Sequence, residues 1–178
     1  MPDYEIIAQD TLTSTAASID ITSIPDTYAH LELIISARST KAATTTYGGT
    51  MTVNGLTSSI YQSAGIYSYN GASPSAFTYN YDTRTQVDNC FRIMDDNLPA
   101  NCYAPTKMMI PNYANTSVTR KGVLIQSASP SDQTSDYWHS VNGGHITLSA
   151  AINQITLFAQ SATYPFKAGT SYYLAGRS

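Results

Sequence analysis

Two groups of residues in this chain could carry chemistry: acids that stand side by side, and histidines that flank a glycine pair. Asp95-Asp96 is the one adjacent acidic pair. Two carboxylates can cleave a glycoside when one gives a proton and the other attacks or activates water. This pair, however, precedes Asn97 and Pro99, a setting in which aspartate bonds its own backbone, so a structural role outweighs hydrolysis. The same oxygens do not have the spacing of an EF-hand loop. His139 and His145 flank Asn142-Gly143-Gly144, read here as a turn, with Asp132 or Asp136 as a nearby third ligand. Two imidazoles and a carboxylate could hold a metal, but a structural histidine is the more ordinary outcome, for His30 as well. Cys90 and Cys102 lie twelve positions apart. A bridge there could contribute about 3 kcal/mol; two reduced, buried thiols are the favoured reading. No CxxC, GxSxG, HExxH, Walker or GxGxxG sequence is present. The expectation is a chain with no catalytic residue, no metal and no cofactor.

The aromatic residues are the stronger signal. The chain has 14 tyrosines, and six aromatics gather between positions 61 and 81: Tyr61, Tyr67, Tyr69, Phe77, Tyr79 and Tyr81. Trp138 is the single tryptophan. Tyrosine has a flat apolar body and a polar tip, which suits interfaces and sugar stacking. It also favours strands in general, so each tyrosine alone could be an ordinary half-buried strand residue. As a set, these seven residues are expected to form an interface or a glycan-binding surface.

The elements that must position them are strands. In Tyr28 to Ser39, Leu31, Leu33, Ile35 and Ala37 share one parity and His30, Glu32, Ser36 and Arg38 the other. That period of two makes a strand with one buried face. Ile34 interrupts the polar parity, which predicts that the outer face is partly covered too. Pro25-Asp26 makes a corner before it, and Ala17, Ile19 and Ile21 alternate upstream. Asn54-Gly55 predicts a hairpin joining Thr50–Val53 to a return strand over Leu56–Tyr61. Gly48-Gly49 reads as a loop, and Asn70-Gly71 as the tip of a long aromatic hairpin. Ala104–Ile110, bounded by Pro105 and Pro111, is expected at a sheet edge, because proline donates no ladder hydrogen bond. Further strands are read at Tyr4–Ala8, Cys90–Met94, Lys121–Ser127, Tyr137–Val141, His145–Leu148, Ile155–Phe158 and Thr170–Ala175. About ten short strands with frequent turns, and no sustained helical period, predict an all-β fold. The expected architecture is one antiparallel β-sandwich domain over residues 1–178, jelly-roll-like, of about 8–10 strands.

Composition narrows the partners. Charged residues are 12% of the chain and the formal net charge is −3, with basic residues scattered. Nucleic acid is therefore not an expected partner, since phosphate binding needs clustered Lys and Arg. No run approaches the roughly 18 apolar residues of a membrane span, and MPDYEIIAQD lacks the basic and apolar parts of a signal peptide. A surface of hydroxyls, amides and phenols suits extracellular or assembled β proteins.

The two ends carry a resemblance. Tyr4-Glu5-Ile6-Ile7, Ala17 to Ile21, Ser23-Ile24-Pro25-Asp26-Thr27-Tyr28 with Leu31 and Leu33, and Ser36-Ala37-Arg38-Ser39 are similar to the openings of small structural proteins of tailed bacteriophages. Phe166-Lys167-Ala168-Gly169-Thr170 and Tyr173-Leu174-Ala175-Gly176 resemble their closing segment, with an imperfect final motif. Residues 40–115 match nothing in that pattern. The resemblance implies a virion component, such as a capsid decoration protein, head fibre or tail module, with a sandwich or jelly-roll fold. It carries over no active-site residues. The implied partners are the major capsid protein or another virion protein and further copies of the chain, a homotrimer being the expected form. The implied location is the virion, after synthesis in a host cytoplasm. A tail-fibre or tail-tip module binding a host receptor or glycan is the alternative.

The parity of Tyr28 to Ser39 is directly testable. Leu33→Asp would bury an unpaired carboxylate at a cost of several kcal/mol. The variant should be insoluble or lack a cooperative melt; a soluble variant with a sharp melt would show that the inward face is wrongly assigned.

Overall fold

The computed structural model describes residues 4–43, 45–129, 138–159 and 163–178, and the side chains at 79–83 are outside the described set. Among the described residues there is no helix, and hence none long and apolar enough to cross a membrane. The chain is all-β. Twelve strands run β1 (Tyr4–Thr11), β2 (Ser18–Ile21), β3 (His30–Ala37), β4 (Thr46–Val53), β5 (Tyr61–Tyr69), β6 (Ser75–Arg84), β7 (Val87–Met94), β8 (Ala104–Pro111), β9 (Arg120–Ser129), β10 (Trp138–Thr147), β11 (Ile155–Phe158) and β12 (Ser171–Arg177). They form an eight-stranded sheet, β1-β12-β3-β8-β9-β10-β5-β6, and a four-stranded sheet, β2-β11-β4-β7, with every named pairing antiparallel.

The core lies between the sheets. Leu31, Leu33 and Ile35 of β3, Met108 and Ile110 of β8, Ile125 of β9 and Leu174 of β12 face Ile19, Ile21, Met51, Val53, Phe91, Ile155 and Leu157 of the smaller sheet. Burying each such side chain contributes about 1.5–3 kcal/mol before entropy is counted. The alternation in β3 is as expected, apart from Glu32, which is buried on the outer side where Lys107 pairs with it at 2.9 Å.

Four expected features differ. β8 is not an edge strand; it lies between β3 and β9. Its prolines are tolerated because β9 pairs with only Thr106 to Met109, so Pro105 and Pro111 fall beyond the shared ladder. The Asn54-Gly55 turn forms, with both residues at positive φ, but Leu56 to Ile60 is not a return strand: the chain crosses to the other sheet and pairs from Tyr61 onward with β10 and β6. Gly48-Gly49 lies inside β4. A Cβ at Gly48 would stand 1.8 Å from the Asn89 side chain, and one at Gly49 would stand 2.2 Å from the Phe91 ring, so these glycines admit β7 rather than break the strand. Asn142-Gly143-Gly144 does not turn; it continues β10, and a Cβ at Gly144 would meet the Gln62 carbonyl oxygen at 2.2 Å.

One side chain holds the crossing from one sheet to the other. Arg38 follows β3 and is 3% exposed. Its Nη1 donates to the carbonyls of Pro99 (2.7 Å) and Cys102 (2.8 Å), and its Nη2 to those of Asp96 (2.8 Å) and Leu98 (2.6 Å). Nε lies 3.5 Å from the Asp96 carboxylate. A guanidinium has five N–H donors in a fixed fork; four make these hydrogen bonds and Nε faces the Asp96 carboxylate as an ion pair. The bound segment joins β7 of one sheet to β8 of the other. The closing segment meets the same point: Thr170 Oγ1 donates to the Arg38 carbonyl and accepts from the Arg38 N–H, both at 3.2 Å, and the Lys167 N–H donates to that carbonyl at 2.8 Å. The Tyr28 ring likewise covers Gly176, where a Cβ would lie 2.2 Å from it.

Arg38→Lys keeps the charge but offers three donors on a flexible stem in place of the planar fork. Carbonyls left buried without donors each cost about 1–3 kcal/mol. The variant should lose about 3 kcal/mol or more in urea unfolding; a loss below about 1 kcal/mol would show that the fork is not needed.

Candidate functional site: the outer face of the large sheet

The acids suspected of chemistry are structural. Asp95 is fully buried and accepts from Ser39 Oγ (3.0 Å) and Thr45 Oγ1 (2.8 Å). Burial pushes its carboxyl up, while those hydroxyls and Lys41 pull it back. Asp96 pairs with Lys167 and Arg38. The Lys167 hydrogen bond, followed by the Lys167 and Arg38 charges, holds its carboxyl below the usual range against a smaller opposing effect of burial. Cys90 is buried and Cys102 half-buried, both as free thiols. Burial pushes the Cys90 thiol well up. Among the described residues no three His, Cys, Asp or Glu side chains are grouped to hold a metal. Asp132 and Asp136 lie outside the described residues.

The seven aromatic candidates divide. Tyr61 is fully buried: its hydroxyl donates to the Leu56 carbonyl at 2.8 Å and accepts from the Val53 N–H at 3.0 Å, so it is a core residue and not part of a surface. Burial raises its phenol. Tyr67 stacks on Trp138 with ring centroids 4.2 Å apart and planes 6° from parallel, Tyr69 tilts against Trp138 at 5.6 Å, and Phe77 meets Tyr67 at 6.2 Å. The Arg92 guanidinium carbon sits 3.6 Å from the Trp138 ring centroid. Two planar groups this close cannot share one face, so Arg92 and Tyr67 cover opposite faces of the indole. Register explains the grouping: Trp138 is opposite Tyr69 and Ser140 opposite Tyr67, on the side of the sheet that looks toward β7. Both faces of the Trp138 indole are thus taken, while Tyr67 is half-buried and Tyr69 exposed. The side chains of Tyr79 and Tyr81 lie outside the described residues.

The opposite side of the sheet has the character expected of a contact surface. Cross-strand pairing lays out a row from β3 to β6, Ile34–Lys107–Gln126–Val141–Ile66–Ala76, and beside it a second, Glu32–Met109–Leu124–Gly143–Ala64–Thr78. Four large apolar residues are exposed on it: Ile34 by 40%, Ile66 by 55%, Leu124 by 44% and Val141 by 47%. A groove of about 550 Å³ crosses this face, walled by Ile34, Ile66, Pro74, Pro105 and Val141, with Lys107, Gln126 and His139 at its lining. Contiguous exposed apolar surface of this kind marks interaction sites. Two glycines on the same face, Gly122 and Gly143, have room to spare: a Cβ at Gly122 would meet nothing within 4 Å, and one at Gly143 only the Val123 carbonyl at 3.8 Å. Neither has positive φ. Glycine inside a strand costs about 0.5–1 kcal/mol relative to alanine, and nothing within the described chain requires it at these two positions.

Ile34, standing among polar parity mates, pointed to this face as partly covered; the run Val123-Leu124-Ile125 held a further signal, since an unbroken apolar run in a strand covers both faces.

No family model and no curated protein matches the chain. Among solved structures, it is similar to the enzymatically active domain of bacteriophage CBA120 tailspike protein 2, at 11% identity and a TM-score of 0.35 over 100% of this chain and 28% of that one. It is also similar to the CBM40 of the Ruminococcus gnavus IT-sialidase bound to α2,6-sialyllactose, at 11% identity and a TM-score of 0.31 over 96% of this chain and 92% of that one. The chain thus spans less than a third of the tailspike chain. Likenesses this distant carry no family, residue or activity across.

The acid pair yields a pH prediction. A carboxyl held below its unfolded value contributes stability above the ordinary carboxylate pKa of about 3.9, and that contribution is lost as pH falls through the lower folded value. Asp96→Asn should therefore melt below the parent at neutral pH, and the gap in Tm should close as pH falls below about 4. A gap that stays constant with pH would show that Asp96 acts as a hydrogen-bond acceptor without titrating.

Proposed function

We propose that the chain is a non-enzymatic structural protein of a tailed-phage virion that decorates the outer capsid surface and works through protein contact at the outer face of its eight-stranded sheet. The observation that carries the reading is the exposed apolar row with its groove of about 550 Å³. Several facts support it further. The two residues best suited to glycoside hydrolysis, Asp95 and Asp96, are held by Ser39, Thr45, Arg38 and Lys167. The segments that resemble phage structural proteins are those that meet at Arg38 and Gly176, so that likeness concerns how the scaffold is closed. A decoration protein gains affinity when several copies lock together over a lattice, and a modest apolar face suffices for such protein contact. Of the residues a tail module would use for sugar stacking, Trp138 is covered by Tyr67 and Arg92, while Tyr69 stays exposed.

Quantitative protein staining of purified virions tests the location. Decoration predicts on the order of hundreds of copies per particle, as repeated lattice contacts require, while a tail-tip module would be present in a handful. Val141→Asp should fold, since the site is 47% exposed, yet be missing from particles.

A further inference from the structure

We propose that the outer face of the eight-stranded sheet pairs with the same face of a second copy of this chain, sheet against sheet, with Gly122 and Gly143 at the point of closest approach. The inference rests on reading this face as a protein-contact surface and names its occupant. Three observations select a second copy.

The first is the placement of the two glycines. They occupy the central strands β9 and β10 on the exposed side, with no backbone strain and no neighbour that a Cβ would strike. Glycine in a strand interior often marks a bulge, a tight bend, or the close approach of a ligand or another backbone. No register shift interrupts β9–β10 pairing across these residues, which leaves the close approach. A flat backbone surface, such as another sheet, fits that space; a lone inserted side chain needs no pair of glycines.

The second is charge. The two rows carry one acid and one base, Glu32 and Lys107, and these neutralise each other at 2.9 Å. A face that meets its own copy across a two-fold axis must not repel itself, and this one presents no unbalanced charge in its middle rows.

The third is area. Five strands, β3, β8, β9, β10 and β5, lie side by side. At about 4.8 Å between strands and about 3.4 Å per residue, six-residue stretches cover a footprint on the order of 500 Å². Two copies then bury on the order of 1,000 Å², the lower bound for a specific interface. Pairing of like faces is isologous and closes at two copies, so the expected assembly is a dimer in place of the trimer implied by the family resemblance.

The test is sedimentation equilibrium of the purified chain at micromolar concentrations, with Gly143→Val and Ile66→Asp beside it and a thermal melt of each. The parent should be dimeric. Gly143→Val should keep or raise the melting temperature, because valine suits an open strand position, yet weaken dimerisation at least 100-fold. Ile66→Asp, at a site 55% exposed, should fold normally and be monomeric. A monomeric or trimeric parent, or variants that dimerise as the parent does, would overturn the proposal. Particle incorporation separates it from the reading beneath it. A monomeric parent whose Ile66→Asp variant is lost from virions leaves the contact surface standing with a different occupant. A dimeric parent that is absent from virions leaves the pairing standing and removes the virion role.

Discussion

The fold depends on satisfying the carbonyls of one short segment. Residues 96–102 pass from the smaller sheet to the larger without belonging to either, and buried carbonyls outside a ladder must find donors. Arg38 supplies four of these bonds from a single planar group. Its position at the end of β3 places the guanidinium under that segment, while its own backbone is held by Thr170 and Lys167. One side chain thus couples the sheet-to-sheet crossing to the entry into β12. Asp95 continues the same network through Ser39 and Thr45. A charged residue is favoured here because a neutral group of similar size cannot direct five donors outward from one plane.

This shows why the resemblance at the two ends is spatially coherent. Arg38 of the opening pattern is hydrogen-bonded to Lys167 and Thr170 of the closing one, and Ser39 forms a β-bridge with Phe166. Tyr28 and Gly176 repeat the relation one strand length away. Segments far apart in sequence form a single structural joint, and the unmatched middle supplies the strands that build the exposed face and the aromatic stack.

What was legible in the sequence followed from periodicity. Leu31, Leu33 and Ile35 alternate, and they are buried. The all-β class followed from short strands punctuated by turns. What was not legible depends on which strands become neighbours. Gly48, Gly49 and Gly144 look like breaks along the chain, but each is set by a side chain or carbonyl on a different strand. Pro105 and Pro111 suggest an edge, yet a partner strand that covers only the middle of β8 gives the same freedom. Tyr61 reads like its neighbours Tyr67 and Tyr69, all of one parity in β5; depth along the strand, rather than the face it points to, makes it core. The contact face was obscured for the same reason, because Ile34, Val141 and Ile66 become a row only through pairing among β3, β8, β9, β10 and β5.

The position of β12 has a consequence for synthesis. This strand lies between β1 and β3 in the large sheet. While the chain is being made, β1 has no sheet partner until residues 171–177 have emerged from the ribosome. Until then β3 also has one ladder edge open, and the guanidinium of Arg38 waits for carbonyls some sixty residues downstream. Non-local pairing of this kind folds slowly and leaves unpaired edges exposed. The chain is therefore most prone to wrong association while β12 is missing, and the insertion of β12 is the step that shields these edges.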